Sequence, residues 1–280
     1  MIEIENLTFA YRQKPPLFNN LGLKLSDGNI YGLLGKNGAG KTTMLKIISG
    51  LLFPQQGNCQ VFSFSPPKRI PDMLQEIYFV PEEFYTPPLR INEYIVAYAP
   101  FYPRFDRHSF QDYLKTFEIP VNDRLTSLSY GQKKKFLVAF GLATNCRLII
   151  LDEPTNGLDI PSKSQFRKLL AATLSEDRII IISTHQVRDI GNLIDPIVIL
   201  DEGKIIFQQT IESIARKLMV KLQKEEPDQA AALYAEKTLG GYLVITKNDG
   251  SAESNLDIEL LFNAVIGNQE RIRAIFEQEA

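Results

Sequence analysis

The sequence predicts an α/β protein. A parallel sheet buried on both faces forms its centre, with an antiparallel β subdomain beside it. An inserted α-helical subdomain and a small C-terminal α+β extension complete it. Three observations carry this reading. Apolar runs of strand length recur at Leu148–Leu151, Ile179–Ile182 and Ile197–Leu200, with room for a helix between successive runs. Such continuous apolar character belongs to strands covered by helices on both faces. Residues 2–10, and then Leu21, Leu23 and Leu25, alternate instead, as strands with one wet face do. From about 84 to 145 the pattern turns helical.

The elements follow in order. After the strands over 2–10 and around Leu21–Leu25, Ser26-Asp27-Gly28 makes a tight turn into the apolar strand Ile30-Tyr31-Gly32-Leu33-Leu34. Thr43–Ile48 reads as a helix, Gly57–Phe64 as a strand, and Ile77–Val80 as a short strand ended by Pro81. Asn92–Ala99, Asp106–Phe117 and Gln132–Ala143 are the helices of the inserted subdomain. The later apolar strands alternate with helices near 161–174 and 186–194. Glu202-Gly203 turns into a hairpin strand, Lys204–Phe207, and a helix from about 210 to 223 follows. Glu225-Glu226-Pro227-Asp228 breaks that helix. A boundary there gives a main domain, 1–223, with its helical subdomain at about 84–145, and an accessory region, 224–280. The accessory region is expected to hold a helix over 229–237, a strand pair around Asn248-Asp249-Gly250 and a helix from Asp257 onward.

The bulk numbers narrow the classes. The chain has 280 residues, 44% hydrophobic and 23% charged, as ordinary globular proteins have. A net charge of −2 gives no general affinity for nucleic acid. The two cysteines, Cys59 and Cys146, form no disulfide framework and fit a reducing compartment, most simply the cytosol. No apolar run reaches 18 residues, and Met1-Ile2-Glu3-Ile4-Glu5 does not read as a signal peptide.

The chemistry is concentrated in one string. Gly35, Lys36, Asn37, Gly38, Ala39, Gly40, Lys41 and Thr42 match the phosphate-binding pattern G-x-x-x-x-G-K-[ST], between an apolar strand and the helix that starts near Thr43. Glycines let the backbone wrap a triphosphate with its N–H groups inward, and the helix N-terminus adds its dipole. Lys41 offers a point charge to the β- and γ-phosphates, and Thr42 offers a hydroxyl to Mg²⁺. A second site segment is Arg147–Pro154, a hydrophobic strand ending in Asp152 and Glu153. The first acid can hold Mg²⁺ through water, and the second can polarise an attacking water. A strand that merely ends in acidic loop residues is the plain alternative.

Leu128-Ser129-Tyr130-Gly131-Gln132 opens a helix. Together with the phosphate loop and the acidic pair, it resembles the signature of ABC transporter ATP-binding subunits, with Tyr130 where glycine is commonest. Thr155-Asn156-Gly157-Leu158-Asp159 is similar to the family's D-loop, and Ser183-Thr184-His185 to its switch histidine. Tyr11 resembles the aromatic that stacks on adenine. The resemblance covers roughly residues 1–210 and favours subunits of ABC-2-type exporters. It implies a RecA-like P-loop NTPase core that binds ATP and Mg²⁺ and hydrolyses ATP to power a separate membrane permease. Glu153, His185 and Lys41 would be catalytic, and Thr42 and Asp152 would hold the metal. Ser129, Gly131 and Gln132 would cap the γ-phosphate held by a second nucleotide-binding domain, and Asp159 would act across that interface. The chain would then sit in the cytoplasm, peripheral on the membrane through its permease. A soluble ABC ATPase that moves no solute, serving as a regulatory or interaction module, is the alternative.

One departure from the family pattern bears directly on the metal site. Glu82 follows the Ile77–Val80 strand where glutamine is usual, a substitution familiar in ABC-2-type subunits. A carboxylate can coordinate Mg²⁺ but adds negative charge near the phosphates. Residues 78–105 hold nine of the chain's 28 aromatics. They read as a subdomain core or as a groove for a permease helix, with Phe84, Tyr85 and Tyr94 as its expected lining. Lys133-Lys134-Lys135 reads as a solvated helix face.

Overall fold

The computed structural model describes residues 1–228, 232–248, 250 and 257–277. β1 (Ile2–Phe9) and β2 (Phe18–Leu25) pair antiparallel, and β3 (Asn29–Leu34) leads through the phosphate loop into α1 (Lys41–Ile48). β4 (Gln56–Val61) returns to the free edge of β1, giving a three-stranded layer in the order β2-β1-β4. Short α2 (Pro71–Leu74) precedes β5 (Ile77–Val80). α3 (Ile91–Tyr98), α4 (Arg107–Thr116) and α5 (Tyr130–Ala143) occupy the stretch expected to be helical. β6 (Leu148–Asp152), α6 (Ile160–Thr173), β7 (Ile179–Thr184), β8 (Ile197–Asp201) and β9 (Lys204–Gln209) complete the central sheet. Its order is β5-β6-β7-β3-β8-β9, parallel except for β9.

The continuous apolar strands still obey a period of two. In β6 and β7, Ile149, Leu151, Ile180 and Ile182 join the core beneath α5. Leu148, Ile150, Ile179 and Ile181 face the other way, toward α1 and the antiparallel layer. Helices need such a two-sided sheet to bury their own apolar stripes. From Phe136 onward α5 is apolar all round because it is enclosed: Phe136, Ala139 and Phe140 have no solvent exposure. Register then aligns the strand ends, with Leu34 opposite Thr184, Asp152 opposite Ser183, and Val80 opposite Leu151. The residues that follow β5, β6, β7 and β3 therefore emerge side by side along one edge of the sheet.

Four expectations differ from the structure. Between β7 and β8 there is a single 3₁₀ turn, Val187–Asp189, rather than a helix over 186–194. Val187, Ile190 and Ile194 are buried at helical spacing, but Gly191-Asn192 weakens a helix and Asp195-Pro196 ends it. The helix expected over 210–223 stops early. α7 spans Ile211–Lys217, and Leu218–Gln223 is strand β10, because pairing outweighs local propensity. β11 (Tyr234–Thr238) replaces most of the helix expected over 229–237, of which 229–231 lie outside the described residues. β12 (Gly241–Lys247) pairs with both, in the order β10-β12-β11. The hairpin turn is therefore Leu239-Gly240, whereas Asn248 closes the strand by donating through Nδ2 to the Ala215 carbonyl at 2.7 Å. Asp249 of the expected turn lies outside the described residues.

α8 (Ile258–Gly267), capped by Asp257, and α9 (Gln269–Glu277) follow. β10 lies before the boundary expected at 223 but is hydrogen-bonded to β12 beyond it. The extension also shares the main core, since Leu233, Ile245, Leu261 and Val265 join the cluster that includes Ile182 and Phe140. Arg188 pairs with Glu259, and Phe276 packs edge-on against Phe207 with ring centres 5.2 Å apart.

Candidate functional site

The strand-end edge opens into a cavity of about 690 Å³, a size that suits a small-molecule ligand. Tyr11, Lys36, Asn37, Gly38, Gly40, Lys41, Thr42 and Thr43 line it together with Glu82, Asp152, Glu153 and His185. Gly40 has φ +110°, and a Cβ there would also lie 2.7 Å from the Phe18 ring. A Cβ on Gly35 would collide with the Leu200 carbonyl. The loop can take this path only with glycine at those two places. Lys41 is buried, and its ammonium donates to the carbonyls of Gly35 at 2.7 Å and Lys36 at 3.2 Å. Burial pushes its pKa below the usual lysine range, and the carboxylates of Glu153, Asp152 and Glu82 oppose that shift.

The acidic pair is held firmly. Asp152 accepts from Thr42 Oγ1 at 2.7 Å through Oδ2, and from Ser183 Oγ through Oδ1. Glu153 has φ +46°, in the left-handed region that few non-glycine residues occupy. Its N–H donates to the Ser183 carbonyl at 3.0 Å. Its carboxylate accepts from Thr184 Oγ1 at 3.1 Å and from the His185 N–H at 3.0 Å. His185 Nδ1 lies 2.7 Å from the same Glu153 oxygen. Glu82 is exposed at the cavity mouth, and its Oε1 accepts from Asn156 Nδ2 at 3.2 Å.

The donor set fits a hydrated divalent cation. A threonine hydroxyl and a buried carboxylate converge, with a second carboxylate on the same cavity. Magnesium is held by one or two carboxylates plus substrate phosphates and keeps several waters. Such a site needs no all-protein cage, and among the described residues no three His, Cys, Asp or Glu side chains converge to make one.

The structure brings together Tyr11, the phosphate loop, Glu82, Asp152, Glu153 and His185. Tyr11 donates or accepts a 2.9 Å hydrogen bond with Thr43 Oγ1, and the residue is 41% exposed on the lining of the cavity. Ser129, Gly131 and Gln132 do not line this cavity. They form a capping box on α5, with Ser129 Oγ accepting from the Gln132 N–H at 3.2 Å and Gln132 Oε1 accepting from the Ser129 N–H at 2.9 Å. Asp159 caps α6, accepting from the Ser162 N–H at 2.9 Å. Hydrogen bonds from the Ser162 side chain and backbone hold its carboxyl below the usual range.

Two readings change. Tyr94 cannot line a docking groove, because it is buried against Tyr98, Phe136 and Phe140. Tyr85 is 81% exposed, whereas Phe84 is half-buried and stacks on Tyr130. Lys134 is not part of a solvated face. It has no solvent exposure, and its ammonium donates to the Glu153 carbonyl at 2.7 Å. Helical spacing carries the signal for this, since residues 130, 134, 137, 138 and 141 share one face, and Leu137, Val138 and Gly141 are interior.

Comparison with known proteins agrees with this geometry. Residues 18–156 match the family described as ABC transporter. The ABC transporter ATP-binding protein NatA of Bacillus subtilis is 31% identical over 203 residues, covering 70% of this chain and 82% of that protein. The bacitracin transport ATP-binding protein BcrA of Bacillus licheniformis is 29% identical over 239 residues, covering 83% and 77%. A dimeric ATP-binding cassette solved in a post-hydrolysis state with ADP and Pi superposes with a TM-score of 0.66. It is 25% identical and covers 75% of this chain and 99% of its own.

Proposed function

This chain belongs to the ATP-binding subunits of ABC transporters, and we propose that it drives a separate permease of the ABC-2 export type by hydrolysing ATP with the residues of this cavity. The observation that carries the proposal is the shared wall on which Lys41, the Thr42–Asp152 pair and the Glu153–His185 pair meet. Tyr11 stacks on the base, and N–H groups from Gly35 to Thr43 surround the phosphates. Lys41 turns from its own loop carbonyls to the β- and γ-phosphates. Mg²⁺, held by Thr42, Asp152 and Glu82, would neutralise charge that builds on the phosphate oxygens.

Glu153 accepts a proton from a water as that water's oxygen attacks the γ-phosphorus in line. The bond to the β-bridging oxygen breaks, ADP leaves, and the proton passes on to phosphate. His185 orients both Glu153 and the γ-phosphate. The catalytic contribution is positioning and electrostatics rather than covalent chemistry. Ser129, Gly131 and Gln132 serve the nucleotide bound to a second cassette, which the α5 dipole also faces, and Asp159 works at that interface. Likeness to ATP-binding subunits of transporters is the ground for assigning the solute path to a partner protein and this chain to the cytoplasmic membrane face; among the described residues no helix is long and apolar enough to cross a membrane. The bacitracin-transport relative supports a transport role. A groove of about 500 Å³ between α1, α2 and β5, lined by Leu51, Leu74, Phe79 and Tyr102, suits a docking segment of that partner.

A Glu153→Gln variant tests the proposal. It is expected to bind ATP, close as a dimer and lose hydrolysis by on the order of a hundredfold or more. Tagged and purified from membranes solubilised with ATP, it is expected to bring down a polytopic membrane protein in stoichiometric amount. A closed soluble dimer without such a partner would support instead an ABC ATPase that moves no solute.

A further inference from the structure

The helix that begins at Tyr130 carries a cation into the interior beside the hydrolytic residues. Lys134 is fully enclosed, and its ammonium donates a hydrogen bond to the carbonyl oxygen of Glu153. Its ammonium lies 5.4 Å from the centre of the Tyr130 ring and 6.0 Å from that of Phe84. Those two rings stack on each other, 5.2 Å apart and inclined by 21°. Tyr130 in turn donates its hydroxyl to the Glu82 carbonyl at 2.9 Å. Burial pushes the Lys134 ammonium below the usual lysine range, and the carboxylates of Glu82, Glu153 and Asp152 oppose that shift. One buried side chain therefore ties together the segment after β5, the start of α5 and the segment after β6.

A buried ammonium is costly unless it is paired, so its presence here calls for a role. Two features bear on that role. Glu153 occupies a left-handed conformation, and its peptide groups are pinned on both sides. Its N–H is held by the Ser183 carbonyl, and its C=O by Lys134. Removing the second anchor frees the turn that aims the carboxylate. Glu82, Asp152 and Glu153 also place three carboxylates around one cavity that must accept a polyanion. A cation behind them offsets part of that repulsion, and low local polarity strengthens the effect.

We propose that Lys134 is a positioning residue for hydrolysis, whose ammonium fixes the Glu153 main chain and offsets the negative charge that Glu82 adds beside Asp152 and Glu153. This inference rests on the reading of Glu153 as the base. The two positions where the sequence departs from the family pattern, Glu82 and Tyr130, are then parts of one arrangement with Lys134: an added acid, a cation that balances it, and a ring that shields the cation.

The test compares ATP turnover of the full chain in wild type, Lys134→Met, Glu82→Gln and the double variant, each shown folded by its thermal transition. Lys134→Met is expected to lower kcat by on the order of tenfold to a hundredfold, with KM for ATP within about twofold of wild type. Adding Glu82→Gln to Lys134→Met is expected to recover at least about threefold of the loss, because the unbalanced charge is removed. A structural defect alone would gain nothing from Glu82→Gln. If Lys134→Met does not fold, Lys134→Gln, which keeps a donor but not the charge, takes its place in the same comparison. A folded variant with wild-type kcat, or a loss that the second substitution leaves untouched, would overturn the inference alone. A wild-type chain with no Mg-dependent ATPase activity would overturn the hydrolytic reading and this inference with it.

Discussion

Glu153 shows how closely a single residue is specified. Its N–H, its C=O and both carboxylate oxygens have partners, drawn from β7, the residue after it, and α5. Those partners hold the side chain at the end of the cavity proposed to take the γ-phosphate, where freedom would be costly for catalysis. At the other end Tyr11 needs less support. Its hydroxyl is tied to Thr43 and its ring leans edge-on against Phe9 at 5.0 Å. Base stacking on an aromatic ring contributes about 1–3 kcal/mol, so Tyr11→Ala is expected to raise KM for ATP by about tenfold without changing kcat. Tyr11→Phe should stay close to wild type. An unaltered KM in Tyr11→Ala would remove Tyr11 from the base site. At this scale the sequence was legible wherever a residue sits in an ordered motif, as Lys41, Thr42, Asp152 and His185 do. Lys134 was harder to read, because a lysine flanked by lysines looks solvated unless the helical spacing that puts it on the face of Leu137, Val138 and Gly141 is followed.

Among the elements, α5 depends most on its surroundings. Phe140 touches the rings of Tyr78, Tyr94, Tyr102, Phe105 and Phe110, so strand, helices and connecting segments meet on one side chain. Phe140→Ala is expected to lower unfolding free energy by about 3–5 kcal/mol, read as a fall in the urea midpoint. A loss below about 1 kcal/mol would mean that the cluster closes over the gap. Most elements could be read from periodicity, and the central strands, α4 and α5 lie where apolar spacing puts them. The misplaced ones share a cause. β10 and β11 owe their form to pairing with β12, and pairing partners far apart in sequence leave no local signature. The segment after β7 has helical spacing of its apolar residues, yet Gly191 and Pro196 leave too little chain to close a helix.

Across the whole molecule, strand order determines which chemistry is adjacent. β5, β6, β7 and β3 are neighbours in the sheet, and each delivers one part of the site from its C-terminal end: Glu82, Asp152 with Glu153, His185, and the phosphate loop. At about 4.8 Å between strands, the set spans about 14 Å, and a binding crevice at the strand ends of an open α/β sheet follows from that layout. Ser129, Gly131 and Gln132 stand apart from it, at the head of α5 and off the wall of the cavity. With the α5 head proposed to serve a second cassette, two chains each inactive alone should rescue each other. A Lys41→Ala chain still offers an intact α5 head, and a Ser129→Arg chain still offers an intact phosphate loop. Mixed in equal amounts, the two should pair at random, and half of the dimers should carry one whole site out of two, which restores about a quarter of wild-type turnover. Each variant alone should stay inactive. Recovery on mixing would identify this chain as its own partner, whereas continued silence would point to a different second cassette.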